Sequence, residues 1–394
     1  MLTDRINRIS PSATLAMTAK AAELRAKGLD VINLSVGEPD FPTPKNIQNA
    51  GMEAITTGIT RYTPGPGMMP LREAVCEKLQ RDNSLSFSPD EIIVSCGGKH
   101  SLYNACMALF QTGDEVIIFS PYWVSFPDFV SVTGATPVIV KTDPKQQFEP
   151  VISDLNSKIN SKTKGIIINS PSNPTGGVWG DDAIREVLSI ANENDLWVFS
   201  DECYEQLTYE NPFTSFANFT ENDEKILTFQ SCSKTYAMTG WRIGYTAGHK
   251  QVIKAMSKLQ GQSTSCPNSI AQFAAIEALT GDQSAVAEMR DAFRVRRDYI
   301  VDRLNSIDGV QCEMPYGAFY VFPDISAYFG KSFENNKITT PDDMSMFILD
   351  KTSVVSVPGE SFGSQKNIRF SYAASNDDLK KAMDRLENTL RLLA

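Results

Sequence analysis

Lys234 is the residue in this sequence whose surroundings most invite chemistry. It lies in Ser231-Cys232-Ser233-Lys234-Thr235-Tyr236-Ala237-Met238-Thr239-Gly240-Trp241-Arg242-Ile243-Gly244-Tyr245, directly after the strand-like run Lys225–Gln230. A lysine flanked by hydroxyls and small residues, eight positions before an arginine, suits an amine held out of bulk water beside a bound anion. Desolvation and a nearby cation lower a lysine pKa, and the neutral amine can then condense with a carbonyl as a Schiff base. Taken alone, the same string is also what a loop carrying a surface lysine looks like.

Other stretches add complementary groups. Ser95-Cys96-Gly97-Gly98-Lys99-His100 is a glycine turn passing from strand to helix, where unpaired N–H groups and a partial positive charge favour a phosphate. The turn lacks the G-x-G-x-x-G spacing of dinucleotide binders. Asp201-Glu202-Cys203-Tyr204 follows the apolar run Leu196–Phe199, and an aspartate at the end of a buried strand needs a cationic partner. A magnesium ion is one alternative, but the companion carboxylates it would use are missing. Ser120-Pro121-Tyr122-Trp123 offers two aromatics, either able to stack on a flat ring. Asn173 is fixed between prolines in Asn169-Ser170-Pro171-Ser172-Asn173-Pro174-Thr175-Gly176, and its amide can donate to a phenolate or carboxylate. Arg369 lies within Asn367–Tyr372, where a partly buried guanidinium needs an anion, from a ligand or from a structural ion pair. Gly37 serves either a turn or a close backbone approach to a ligand.

The elements that position these groups follow from apolar patterning. Five strand-length runs, Glu91–Ser95, Glu115–Phe119, Gly165–Asn169, Leu196–Ser200 and Ile226–Gln230, each end in one of the motifs above, and helical stretches alternate with most of them. Near-continuous apolar runs separated by helices predict a parallel sheet covered on both faces. Ligands bind such sheets at the carboxyl ends of the strands, so the motifs are expected to converge there. Residues 15–27 read as a helix closed by Gly28, and Val31–Ser35 as a strand. After about residue 283 the pattern changes to a charged helix, Met289–Leu304, and three further strands at Gly317–Phe322, Val354–Gly359 and Asn367–Tyr372. The expected organisation is α/β: an N-terminal segment, 1–45, joining a small C-terminal α/β domain, 284–394, beside a large domain, 46–283, with a mainly parallel sheet.

With 394 residues the chain fits one large and one smaller domain. A net charge of −10 argues against general affinity for nucleic acid or anionic membranes. Seven cysteines without a Cys-x-x-Cys pair do not make a disulfide framework or zinc ribbon, and two histidines do not support histidine-based catalysis or a metal site. The polar residues 1–10 and the absence of any apolar run of about 20 residues predict a cytoplasmic protein.

Ser-x-Ser-Lys with Arg eight residues on, within Met238–Tyr245, resembles the pyridoxal-phosphate lysine region of the class I aminotransferases, specifically the bacterial-type aspartate aminotransferases of the I-beta branch. The resemblance runs from Pro11-Ser12-Ala13-Thr14 to Arg369-Phe370-Ser371-Tyr372. It implies a fold-type I transferase that holds pyridoxal 5′-phosphate. On that footing the phosphate is held by the Gly98 and Lys99 backbone, Ser231 and Arg242, and Trp123 stacks on the ring. Asn173 and Tyr204 then meet the cofactor 3-oxygen, Asp201 its pyridine nitrogen, and Lys234 is the Schiff-base lysine and proton carrier. Gly37, Trp123, Asn173 and Arg369 face the substrate, the last as the α-carboxylate clamp, while Thr14 and Lys99 read a distal carboxylate. Tyr62 implies a homodimer, because its counterpart reaches the neighbouring subunit's cofactor phosphate. The expected substrates are L-aspartate and 2-oxoglutarate, exchanged by ping-pong kinetics. Members that also use prephenate tend to carry a basic residue just before Pro-Ser-Ala-Thr, where this chain has Ser10. An aspartate/prephenate, aromatic or alanine-type aminotransferase, or a β-lyase, would share the same core residues. A non-catalytic pyridoxal-binding regulator would need an appended domain for which the chain has no room.

Overall fold

The computed structural model describes residues 2–11, 13–219, 225–334 and 336–393. A short strand, β1 (Ile32–Asn33), precedes those of the main sheet: β2 (Ile92–Ser95), β3 (Glu115–Ser120), β4 (Thr136–Asp143), β5 (Glu149–Pro150), β6 (Thr163–Asn169), β7 (Trp197–Asp201), β8 (Ile226–Ser231) and β9 (Gly244–Ala247). They lie in the order β2-β9-β8-β7-β6-β3-β4-β5. The pairs β8–β7, β7–β6, β6–β3 and β3–β4 are parallel.

Why these runs form strands is visible in their burial. Every residue of β2 and β8 is buried although alternate side chains point to opposite faces. Ile92, Val94, Ile117, Phe119, Ile166 and Ile168 enter one apolar cluster. Their neighbours Ile93, Val116, Ile118, Ile167, Phe199 and Phe229 enter another on the far side. The five runs read from the sequence are all strands of this sheet.

Two features went beyond that reading. Strand β4 carries a half-exposed pattern rather than a continuous apolar run. Strand β9 runs antiparallel to both β8 and β2 and separates them. It is reached from β8 by the short Lys234–Ile243 turn rather than a crossover helix, which dictates the antiparallel sense. The register matters: Gly244 stands opposite Ser231 on one side and Ser95 on the other. A Cβ at Gly244 would lie 2.2 Å from the Gly98 nitrogen, so only glycine leaves room for the helix Gly98–Leu109 to start beside it.

The C-terminal part contributes β10 (Tyr320–Val321), the hairpin β11 (Ser332–Phe333) and β12 (Asn336–Lys337), then β13 (Val354–Val355), β14 (Val357–Pro358) and β15 (Ile368–Ser371). β15 pairs antiparallel with β10 and β14. β1 pairs parallel with β13, tying the N-terminal segment to this sheet. Helices Ser284–Asn305, Pro341–Thr352 and Asn376–Leu390 pack with it around Phe293, Phe319, Phe347, Phe370 and Leu386. Ile32 and Leu34 join that cluster, as do Tyr204 and Leu207 just beyond β7. The helix Ala13–Ala26 is followed by Gly28 at φ +82°, close to the expected start and stop.

Candidate active site

The motifs converge at the carboxyl ends of β2, β6, β7 and β8 on a cavity of about 350 Å³. Gly37, Gly98, Lys99, Trp123, Asn173, Asp201, Tyr204, Ser231, Lys234, Arg242 and Arg369 all line it.

One end is built for an anion. Gly97, at φ +89°, caps the helix Gly98–Leu109, whose first amides have no intrahelical acceptor. A Cβ at Gly97 would sit 2.5 Å from Arg242 Nη2. Arg242 occupies the left-handed region at φ +60°; its Nη1 donates to Thr239 O at 2.9 Å. Strain of this kind persists only where the surroundings hold it, and here it aims a guanidinium over a helix start. Ser231 Oγ, 2.9 Å from Ser233 Oγ, accepts the Ser233 N–H and donates to Ile243 O at 3.1 Å. Amides, two hydroxyls and a guanidinium thus surround one point.

The opposite end is acidic. Asp201 ends β7 at 6% exposure, with Oδ1 accepting the Cys203 N–H at 3.3 Å. Burial pushes its carboxyl up to about 7, a smaller push comes from Glu202, and Lys234 acts the other way. An acid this costly to ionise alone is poised for a cationic partner inside the cavity.

Between the ends, the Lys234 amine donates to the Gly37 carbonyl. Burial lowers its pKa, and Arg242 and Arg369 act in the same direction, against Cys203 and Glu38. The site therefore shifts the amine towards its neutral, nucleophilic form.

The Arg369 guanidinium is 2% exposed. Nη1 donates to Asn173 Oδ1 at 2.8 Å and Nη2 to Ser35 O at 2.6 Å. Nε is buried without a partner. The charge lies over Tyr320 at 4.6 Å and Phe362 at 4.9 Å. Asn173 is itself held by its N–H donating to Asn169 Oδ1 at 2.8 Å, while Asn169 Nδ2 donates to Asp201 O at 3.0 Å. β6–β7 pairing sets Asn169 directly beside Asp201.

Of the two adjacent aromatics, Trp123 lines the cavity, braced edge-on by Phe126 at 5.4 Å and Phe129 at 5.7 Å. The Tyr122 ring packs against Gly363, where a Cβ would come within 2.6 Å of it. Lys99 Nζ sits 5.0 Å over the Trp123 ring, its pKa lowered by burial and then by Arg242. Tyr62 is 90% exposed and outside the cavity. Thr14 belongs to the first helix, and its side chain lies outside the described residues.

The cavity also holds residues that sequence reasoning did not single out. Tyr320, Asn169, Ser233 and Cys203 all line it. The Tyr204 and Tyr320 hydroxyls lie 2.8 Å apart. Ser233 was within reach, standing in the hydroxyl-rich string around Lys234; Tyr320 looked like one more apolar strand position. Among the described residues no histidine, cysteine and carboxylate cluster suits a metal ion.

The arrangement fits a flat ring with an anionic group at one end and a protonatable nitrogen at the other. Pyridoxal phosphate has that form, and a 350 Å³ cavity admits it with space for a small acid. Comparison with known proteins agrees. The family described as aminotransferase class I and II matches residues 29–386. Aspartate/prephenate aminotransferase of Cereibacter sphaeroides is 44% identical over 390 residues, 98% of each chain. Aspartate aminotransferase of Bacillus sp. strain YM-2 is 41% identical over 393 residues, 99% of each. Among solved structures, aspartate aminotransferase from Rhizobium meliloti superposes with a TM-score of 0.96 at 39% identity, covering 100% of both chains.

Proposed function

We propose that this chain, which belongs to the class I and II aminotransferases, moves the amino group of L-aspartate to 2-oxoglutarate, giving oxaloacetate and L-glutamate, with pyridoxal 5′-phosphate as its cofactor. One observation carries the reading: Lys234, Asp201, Arg242 and Arg369 share a single cavity, each facing a different part of it. The relatives named aspartate aminotransferase support the substrate assignment.

Pyridoxal phosphate, when bound, supplies a carbonyl that takes the amino group and a ring that draws off the electron pair left by the breaking Cα–H bond. The protein's part is binding and proton movement. Arg242, Ser231, Ser233 and the first amides of the helix Gly98–Leu109 hold the phosphate; bidentate, charge-assisted bonds make an arginine fork effective there. Trp123 covers one face of the ring. Asp201, ionised once a cation faces it, keeps the pyridine nitrogen protonated. Asn173 and Tyr204 donate to the 3-oxygen. Arg369 clamps the substrate α-carboxylate, with the unpartnered Nε as a spare donor. The Lys234 amine would take the Cα proton and give it back to the cofactor's former aldehyde carbon, on the other side of the shared nitrogen. Lys99 at the cavity mouth, with Thr14, reads the distal carboxylate.

The reading includes the three-part organisation: 46–283 carries the cofactor, while 284–394 with 1–45 brings Arg369 to the substrate. It also includes a homodimer. Tyr62 is 90% exposed, and Met52, Ile55 and Met69 add exposed apolar side chains nearby in sequence, a combination suited to burial against a second copy. All seven cysteines are unpaired, in keeping with a reducing cytoplasm. No helix among the described residues is long and apolar enough to cross a membrane.

Purified protein loaded with pyridoxal phosphate is expected to form oxaloacetate and glutamate only when aspartate and 2-oxoglutarate are both supplied at steady state. Ammonia released from a single amino acid would instead mark a β-lyase.

A further inference from the structure

Tyr320 touches three separate parts of the site, Arg369, Tyr204 and Gly37. Its side chain is fully buried. Its ring lies 4.6 Å from the Arg369 guanidinium carbon, and its hydroxyl is 2.8 Å from that of Tyr204. The same hydroxyl would lie 2.5 Å from a Cβ built on Gly37, the residue whose carbonyl receives the Lys234 amine. β10–β15 pairing fixes it, with Tyr320 opposite Ser371, two positions from Arg369.

These contacts have a directional consequence. The Tyr204–Tyr320 bond can run either way. A phenol has one proton, so when Tyr204 donates to a ligand oxygen, its own oxygen can only accept, and Tyr320 becomes the donor behind it. A donor at that point polarises Tyr204 and strengthens its forward bond. The Tyr320 ring also bears on Arg369. Each of its terminal nitrogens gives one of its two N–H groups to Asn173 or Ser35, which leaves the others for a carboxylate, and the aromatic face of Tyr320 limits where the plane of the fork can lie.

We propose that Tyr320 is a positioning residue for the reaction, its hydroxyl setting the strength of the Tyr204 hydrogen bond to the cofactor and its ring setting the aim of Arg369 at the substrate carboxylate. This inference rests on the function proposed above and assigns a role within the same site.

Two variants of the full-length, cofactor-loaded protein separate the two roles. Tyr320→Phe keeps the ring and removes the hydroxyl. Tyr204's donation draws negative charge from the cofactor oxygen and eases loss of the neighbouring proton, so weaker donation moves the colour change upward in pH. The midpoint of the visible absorbance is expected to rise by about half to one pH unit, while succinate, measured by calorimetry, binds within about twofold of wild type. Tyr320→Leu removes the ring face; succinate binding is expected to weaken by about 5- to 30-fold, with the Phe variant restoring it. A Tyr320→Phe titration superimposable on wild type overturns the inference, and this arm stands even where the leucine variant does not fold. Unchanged succinate affinity in a folded Tyr320→Leu protein overturns it too. Wild-type protein that takes up no pyridoxal phosphate overturns the proposed function and this inference together; the other failures leave that function standing.

Discussion

Arg369 Nη1 donates to Asn173 Oδ1 across 2.8 Å, joining residues 196 positions apart, one on the strand Ile368–Ser371 and the other in the turn after Thr163–Asn169. The bond makes the two parts of the chain share one polar surface of the cavity. Asn173 in turn hangs from Asn169, which bonds the Asp201 carbonyl. Two asparagines in series therefore relate the arginine to the acid at the far end of the cavity.

Because Arg369 is buried and its fork already oriented, a lysine cannot replace it: the ammonium is a point charge without the planar pair of donors. Arg369→Lys is expected to lower kcat/KM about 100-fold or more. The loss should be similar for aspartate and alanine, since both carry the same α-carboxylate. Steady-state kinetics with the two donors check it. A loss confined to aspartate would put the arginine on the distal group instead.

Lys234→Ala removes both nucleophile and proton carrier. Turnover should fall by at least about 10⁴-fold, while the phosphate end of the cavity is left intact and cofactor is still retained on gel filtration. Residual transamination at one-tenth of wild type would remove Lys234 from the centre of the mechanism.

Asp201 gives a pH-dependent stability with a definite sign. Its carboxyl is raised from the ordinary 3.8 to about 7 by burial. The neutral form is therefore the one the cofactor-free fold tolerates. Its contribution is fully present below pH 4 and is lost as pH rises through 7, on the order of 4 kcal/mol across that window. Cofactor-free Asp201→Asn, whose amide does not ionise, should gain stability relative to wild type between pH 5 and pH 8. Bound cofactor, by facing Asp201 with a cation, should erase that gain. Denaturant titrations at the two pH values, with and without pyridoxal phosphate, read both effects.

How much of this was legible in the sequence follows from how local each feature is. The strands ending at Ser95, Asn169, Asp201 and Ser231 stood out because both faces are buried, which leaves an apolar run that survives without context. The Gly244–Ala247 strand did not, being four residues of mixed character whose antiparallel partners are set by a turn. The motifs at strand ends pointed to their cavity for the same reason, since a parallel sheet collects its carboxyl ends. Tyr320 was silent because its value lies in a contact with Tyr204, 116 positions earlier. That Trp123 and not Tyr122 lines the cavity goes with the packing of Tyr122 on Gly363, 241 positions further along.

Behind the Asp201 end lies a buried network of charge. Lys78, 1% exposed, donates to Glu205, to Asn83 Oδ1 at 2.8 Å and to Gln230 Oε1 at 2.7 Å. Gln230 Nε2 passes the chain on to Glu202 Oε2 at 3.2 Å. Removing one member strands the others without a counter-charge, so Lys78→Met should cost about 3–5 kcal/mol. Replacing Lys78 and Glu205 together by apolar residues should cost less than the single change. Urea unfolding of the two variants beside wild type forms the test, and a Lys78→Met protein within 1 kcal/mol of wild type would show that the pair is not coupled.

On the proposed function, specificity for a dicarboxylic substrate turns on Lys99. Its ammonium sits 5.0 Å over Trp123 at the mouth of the cavity, and burial together with Arg242 lowers its pKa. The residue is exposed, so its ammonium is open to an incoming carboxylate. Loss of this partner should raise KM for aspartate by about 10- to 100-fold, with alanine, which has no distal carboxylate, little affected. The aspartate-to-alanine ratio of kcat/KM in Lys99→Ala thus measures the contribution directly. Raising the pH should weaken wild-type aspartate binding as Lys99 loses its proton, at a pH below that of an ordinary lysine, and the variant should lack this dependence. An unchanged ratio, or a variant that keeps the high-pH limb, would assign the distal carboxylate to another group.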